Sequence, residues 1–150
     1  MPDETPDIPP VDGLLCFSFY AASHAFTRLY KPLLDRLGVT YPQYLVLVAL
    51  WDKDDQAVGR IGETLGLESS TLTPLLKRLE ALGHVTRTRD PADERVVRVR
   101  LTAQGRALKG EARAIPACIL SATGLELPEA ERLLREVTQL RAALERATKA

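Results

Sequence analysis

Apolar residues recur at steps of four and three at Leu15, Phe19, Ala22, Phe26, Leu29 and Leu33. This spacing predicts a helix with one continuous stripe, with Asp12 as its N-cap. Thr40-Tyr41-Pro42 opens a second helix, since proline is tolerated in a first turn. The run Tyr44 to Trp51 is apolar almost all round, so that helix is expected to be buried. A short helix with Ile61 and Leu65 inward follows, then a turn at Gly66-Leu67-Glu68. Another helix opens at Ser69-Ser70 and is expected to bury Leu72, Leu75, Leu76, Leu79 and Leu82 before Gly83 stops it. Pro74, a turn into that helix, either bends the axis or marks a helix that starts one residue late. Sequence alone leaves both open.

The period then changes to two. Val85-Thr86-Arg87-Thr88-Arg89 alternates, Asp90-Pro91-Ala92-Asp93-Glu94 reads as a turn, and Val97, Val99 and Leu101 share one face of a second strand. Thr102 caps a further helix that Gly105, Gly110 and Pro116 weaken or bend. Leu127-Pro128-Glu129 starts the last helix, striped by Leu133, Val137, Leu140 and Leu144. The acidic, Pro-rich residues 1–11 read as a flexible arm ahead of a single domain over 12–150.

Helix, turn, helix and a short hairpin make a mainly α fold with a small β-hairpin, a winged helix-turn-helix, over about residues 55–101. The flanking helical stretches, about 12–37 and 103–148, carry apolar seams that a minimal winged helix does not need. A homodimer interface uses them most simply.

Charge sharpens this picture. Lys+Arg and Asp+Glu number 20 each, so the total carries no nucleic-acid signature. Residues 77–106, however, hold Lys77, Arg78, Arg87, Arg89, Arg95, Arg98, Arg100 and Arg106 against Glu80, Asp90, Asp93 and Glu94, a net +4. Ser69, Ser70, Thr71 and Thr73 near the start of the second helix of the pair suit close approach to phosphates or base edges. Lys77 and Arg78 further along suit phosphates. In the hairpin, Arg87 and Arg95 are candidates, with Asp93 placed to hold the Arg95 guanidinium for a minor groove. The partner so implied is double-stranded DNA, and a two-fold dimer would prefer a palindromic operator. The competing reading of the same charges is a solvated helix face and an exposed hairpin.

With 45% hydrophobic residues the chain can bury a core. No apolar run approaches the roughly 20 residues of a membrane helix, so no membrane partner and a cytoplasmic setting are expected. Two cysteines, Cys16 and Cys118, make neither a disulfide scaffold nor a structural zinc site, and no metal or cofactor is expected.

A second stripe runs along the first helix: Cys16, Tyr20, Ser23, Thr27 and Tyr30. Cys16 lies in the opening turns, where the helix dipole favours a thiolate. Tyr30 is about 21 Å further along the same helix at 1.5 Å per residue, so the two cannot meet within one chain. If two copies pair antiparallel about Ser23, Cys16 of one faces Tyr30 of the other, and Tyr41 can approach the same place. Two phenols donating to one sulfur would hold it ionised. The alternatives are an inert buried thiol and ordinary core or interface aromatics.

The segments Leu15-Cys16-Phe17, Tyr30-Lys31-Pro32-Leu33-Leu34-Asp35, Tyr41-Pro42-Gln43-Tyr44, Ser70-Thr71-Leu72-Thr73-Pro74-Leu75-Leu76-Lys77 and Asp93-Glu94-Arg95 resemble those of the organic hydroperoxide resistance repressors (OhrR), a branch of the MarR family. The likeness spans roughly residues 13–120, and Pro74 belongs to the shared pattern. It implies a dimeric winged-helix repressor that leaves its operator when an organic hydroperoxide oxidises Cys16. Tyr30 and Tyr41 would reach Cys16 from the partner, and Cys118 would match the resolving cysteine of a two-cysteine subgroup. Residues 121–150 match in helical character only.

Other readings are a MarR-type repressor released by a reversibly bound small phenolic ligand, a thiol peroxidase and a purely structural helical dimer. Nothing in the sequence recruits a reductant, and His24 and His84 are isolated, so an enzyme is not expected. A structural dimer leaves the arginine-rich hairpin unexplained.

Overall fold

The computed structural model describes residues 7–149. The arm read over residues 1–11 falls outside the described residues as far as residue 6, and Val11–Gly13 forms a single 3-10 turn. Two compact units follow, divided between Glu111 and Ala112.

The first unit begins with α1 (Leu15–Asp35), which runs through Pro32 close to its C-terminal end. Its N-cap is Leu14, with no side-chain cap bond, and not Asp12. Asp12 is taken into the preceding turn, closed by Gly13 N–H to the Pro10 carbonyl at 2.8 Å. Of the 21 residues of α1 only Leu34 is buried. The stripe is formed as the spacing requires, but Leu15, Phe19, Phe26 and Leu29 face outward within the protomer.

α2 (Tyr41–Asp52) starts in a capping box: the Thr40 hydroxyl accepts from Gln43 N–H and the Gln43 side chain accepts from Thr40 N–H. Val46, Leu47 and Leu50 are fully buried, as its continuous apolar character demands, and each contributes about 1.5–3 kcal/mol relative to exposure. The helix-turn-helix is α3 (Val58–Leu65) and α4 (Ser69–Ala81), joined through Gly66 at φ +66°. A Cβ on Gly62 would come within 2.8 Å of the Leu67 carbonyl, so the close approach of α3 to this turn needs glycine.

α4 starts at Ser69, with Glu68 as N-cap, and continues unbroken through Pro74. Pro74 thus lies inside the helix, where its missing N–H leaves the Ser70 carbonyl without its usual i+4 donor. Leu72, Leu76 and Leu79 are buried and Leu75 is half-buried. Leu82, read as core, is 44% exposed because the helix has ended at Ala81 and Gly83 turns the chain at φ +87°.

The wing is β2 (Val85–Asp90) and β3 (Asp93–Leu101), paired antiparallel from Val85↔Leu101 outward with an irregularity between Arg89 and Asp90. Only Pro91 and Ala92 form the turn, since β3 already begins at Asp93. A two-residue strand, β1 (Gln56–Ala57), pairs with β3 on its other edge, so the hairpin becomes a three-stranded sheet of order β1-β3-β2. Asp55, at φ 56°, clamps this corner: its carboxylate accepts from Arg98 at 2.7 Å and pairs with Arg100 at 3.2 Å.

α5 (Ala103–Ala112) closes the unit, and Thr102 caps it by accepting from Gly105 N–H at 3.0 Å. The second unit holds α6 (Ile115–Thr123), with Pro116 in its first turn, and α7 (Leu127–Thr148). The stretch read as a weakened helix from Thr102 is thus two helices, since proline ends one and fits the start of the next. None of the described residues of α7 is buried, and Leu133 and Leu144 of its stripe are 49% and 58% exposed. No helix among the described residues is long and apolar enough to cross a membrane.

Candidate redox site and nucleic-acid interface

Tyr30 on α1 and Tyr41 at the start of α2 are brought together, with ring centroids 4.8 Å apart. Tyr44, one turn along α2, completes a triangle at 5.7 Å from Tyr30 and 6.4 Å from Tyr41. Burial pushes the Tyr30 phenol up to about 12, helped by its two neighbours, and burial raises Tyr41 and Tyr44 as well. All three therefore stay protonated, as O–H donors, throughout the physiological range. Among the described residues none of these hydroxyls has a hydrogen-bond partner within the protomer. The cluster presents three protonated phenols at the packing of α1 on α2.

Cys16 is the second residue of α1 and is exposed, at the opposite end of the helix from Tyr30. Cys118 is exposed on α6 in the second unit, and both thiols are free. Tyr20 packs edge-on against His24 at 4.4 Å, away from the tyrosine triangle. Tyr44 was the member missed in the sequence. Its i, i+3 spacing from Tyr41 on a helix is the signal that places both on one face.

On α4, Ser69, Ser70, Thr71, Lys77 and Arg78 are exposed and Thr73 is half-buried. Lys77 and Arg78 take part in no ion pair among the described residues. The wing arginines divide by role. Arg87 is tied to Glu80 of α4, through its N–H at 2.9 Å and its guanidinium at 3.1 Å, and these bonds hold the Glu80 carboxyl below its ordinary range. Arg98 and Arg100 serve Asp55. Arg95 at the tip is different. Its side chain is 91% exposed, yet Asp93 takes its Nε at 3.1 Å and its backbone N–H at 3.1 Å. The Asp93 carboxyl is held low by the Arg95 guanidinium first and the backbone bond second. The result is an exposed cation tied to its own turn at the far end of the wing.

The family model for the transcriptional regulator SarA/Rot matches residues 28–112, more than half of the chain. The chain belongs to the MarR/SarA-type family of transcriptional regulators. The HTH-type transcriptional regulator TtmR of Methylorubrum extorquens is 50% identical to this regulator over 131 residues, covering 87% of this chain and 67% of that one. The organic hydroperoxide resistance transcriptional regulator of Bacillus subtilis is 46% identical over 134 residues, covering 89% and 86%. Among solved structures, reduced AbfR bound to DNA matches with TM-score 0.74 at 38% identity over 87% of this chain and 90% of that one. Disulfide-formed AbfR matches with TM-score 0.64 at 38% identity over 84% and 88%. These relatives are regulators and not enzymes, and the winged-helix fold read from the sequence is the fold of the regulator.

Proposed function

We propose that this regulator is a homodimeric repressor that holds a palindromic operator while Cys16 is reduced and releases it when an organic hydroperoxide oxidises that sulfur. The observation that carries the reading is the packed pair Tyr30 and Tyr41, on a chain whose exposed Cys16, near the other end of α1, cannot reach them by itself. Antiparallel pairing of two α1 helices about Ser23 supplies each tyrosine pair with the sulfur of the partner. It also covers the outward stripe of α1, whose removal from water is favourable. Homology to the Bacillus subtilis regulator and to AbfR, solved in reduced DNA-bound and disulfide forms, supports the same assignment.

The Cys16 thiolate attacks one oxygen of the hydroperoxide and breaks the O–O bond. The sulfur becomes a sulfenic acid, and the departing alkoxide takes a proton to leave as an alcohol. Leu15, Phe17 and Phe19 beside Cys16 offer apolar surface to the organic tail, which favours organic hydroperoxides over hydrogen peroxide. A neutral sulfenic acid accepts more weakly from the two phenols. Cys118 of the partner subunit then attacks the sulfenic sulfur, water leaves, and an intersubunit disulfide forms. Its Cα atoms must come within about 7 Å, so any wider separation obliges the helices to move. The reading heads of a two-fold dimer sit about 34 Å apart, one turn of DNA, and a change in spacing or tilt weakens both contacts together.

Non-reducing electrophoresis after one equivalent of cumene hydroperoxide is expected to show a covalent dimer that is absent in Cys118→Ser. A band that persists in Cys118→Ser, or a wild-type chain that releases DNA while remaining monomeric on the gel, would contradict the disulfide step. Release by a phenolic ligand under reducing conditions, with no response to peroxide, would favour the ligand-gated reading instead.

On the DNA side, α4 enters the major groove with Ser69, Ser70, Thr71 and Thr73 leading, Lys77 and Arg78 take phosphates, and Arg95 enters the minor groove. Arg87, braced by Glu80, fixes the wing against α4. Lys77→Ala is expected to lower operator affinity evenly across sequences and to reduce the slope of log K against log salt by about 1 for each phosphate that Lys77 neutralises. An unchanged slope in a salt titration would remove Lys77 from the interface.

A further inference from the structure

Resting on the redox reading above, we propose that Tyr44 and Trp51 are positioning residues that carry the state of the tyrosine pair to the reading head. Tyr44 touches both sensing tyrosines and is 6% exposed, so a movement of either ring meets it inside the protomer. Seven residues on, two turns along the same face of α2, the Trp51 ring meets Tyr44 edge-on at 6.3 Å. The Trp51 indole N–H donates to the Gly105 carbonyl at 2.9 Å. Gly105 is in turn stitched to the connector between α4 and β2. Thr102 accepts from Gly105 N–H at 3.0 Å and donates to the Gly83 carbonyl at 2.6 Å, while Thr102 N–H donates to the His84 carbonyl at 3.0 Å.

Gly83 and His84 are the only residues between Leu82, the cap of α4, and the first residue of the wing. His84 is buried with its Nδ1 unpartnered among the described residues, and Gly105 lies so close to its carbonyl that no side chain fits between them. An unbroken run of contacts therefore leads from Tyr30 and Tyr41 through Tyr44 and Trp51 to the junction that sets α4 against the wing. Packed contacts of this kind shift between discrete arrangements and do not deform smoothly.

Trp51→Phe keeps an aromatic ring against Tyr44 and deletes the bond to Gly105. Reduced Trp51→Phe is expected to bind the operator within about twofold of wild type and to oxidise at Cys16 at the wild-type rate. The ratio of oxidised to reduced operator Kd is expected to fall at least about fivefold, the worth of one such hydrogen bond. Trp51 is the single tryptophan of the chain, so its emission gives a second readout in the unaltered protein. Emission is expected to change on one equivalent of cumene hydroperoxide in wild type and to stay constant in Cys16→Ser, and this decides the matter even if Trp51→Phe binds DNA poorly. Wild-type release with constant emission, or full release by Trp51→Phe, overturns the relay and leaves the redox switch standing. Wild type that is oxidised at Cys16 yet keeps its operator overturns both.

Discussion

Cys16→Ser is expected to bind the operator as tightly as wild type and to stay bound when an organic hydroperoxide is added. Serine keeps a small hydroxyl beside Tyr30 and Tyr41 of the partner subunit and can form no disulfide with Cys118, so the step that obliges the helices to move is absent and the reduced arrangement of the dimer survives. It lacks the nucleophilic sulfur, so the O–O bond is not attacked and no sulfenic acid forms. Couplings between a sensor and a binding surface typically span 1–3 kcal/mol, about 5–150-fold in affinity. Wild type should lose operator affinity within that range under oxidant, and Cys16→Ser should lose none. Fluorescence anisotropy of a labelled operator, read before and after one equivalent of cumene hydroperoxide, measures both. Release of the Ser variant with wild-type amplitude would place the sensing group elsewhere.

The largest stability effect is expected at Gly105. Helix propensity alone says that alanine in α5 stabilises by about 0.5–1 kcal/mol over glycine. At Gly105 that preference is outweighed, because a Cβ would overlap the His84 carbonyl oxygen and come within 3.0 Å of its carbon, both backbone atoms with little room to yield. Overpacking of this kind costs about 1–3 kcal/mol and sometimes more, which for a chain of this size lowers Tm by roughly 2–4 °C per kcal/mol. Gly110, on the same helix, has nothing within 4 Å of its would-be Cβ. Gly110→Ala should therefore raise Tm slightly while Gly105→Ala lowers it by several degrees in thermal unfolding followed by circular dichroism. Equal effects at the two positions would show that α5 does not press on His84.

Much of this fold was legible as periodicity. The stripes of α1, α4 and α7, the all-round apolar run of α2 and the period-two wing follow directly from where the apolar residues fall. What escaped was governed by partners distant in the chain. β1 is two residues long and carries no pattern of its own; it is a strand only because β3 offers it an edge. Leu82 continues the α4 stripe in sequence but lies past the point where Gly83 turns the chain. Glycine and proline between Thr102 and Pro116 announced a weakness, yet Gly105 proved to be a contact and Pro116 a helix start.

The basic segment was visible as a charge count, but not its division of labour. Arg98 and Arg100 are engaged by Asp55, far away in sequence, whereas Arg95 is held by Asp93 two positions off, a pairing the spacing did suggest. The candidate site shows the same contrast. Helical spacing separates Cys16 from Tyr30, while the approach of Tyr30, Tyr41 and Tyr44 depends on how α1 packs on α2.

The proposed dependence of each Cys16 on tyrosines of the other protomer is tested most directly by a mixed dimer. One protomer carries Cys16→Ser with both tyrosines intact. The other carries Tyr30→Phe and Tyr41→Phe with Cys16 intact, and both have Cys118→Ser so that sulfenic acid accumulates. The rate of sulfenic acid trapping by dimedone is then read for the single remaining Cys16. If the phenols come from the partner, that cysteine reacts at the wild-type rate, since the tyrosines facing it are unaltered. Reaction as slow as in the dimer lacking all four phenols would contradict a sensor shared between protomers.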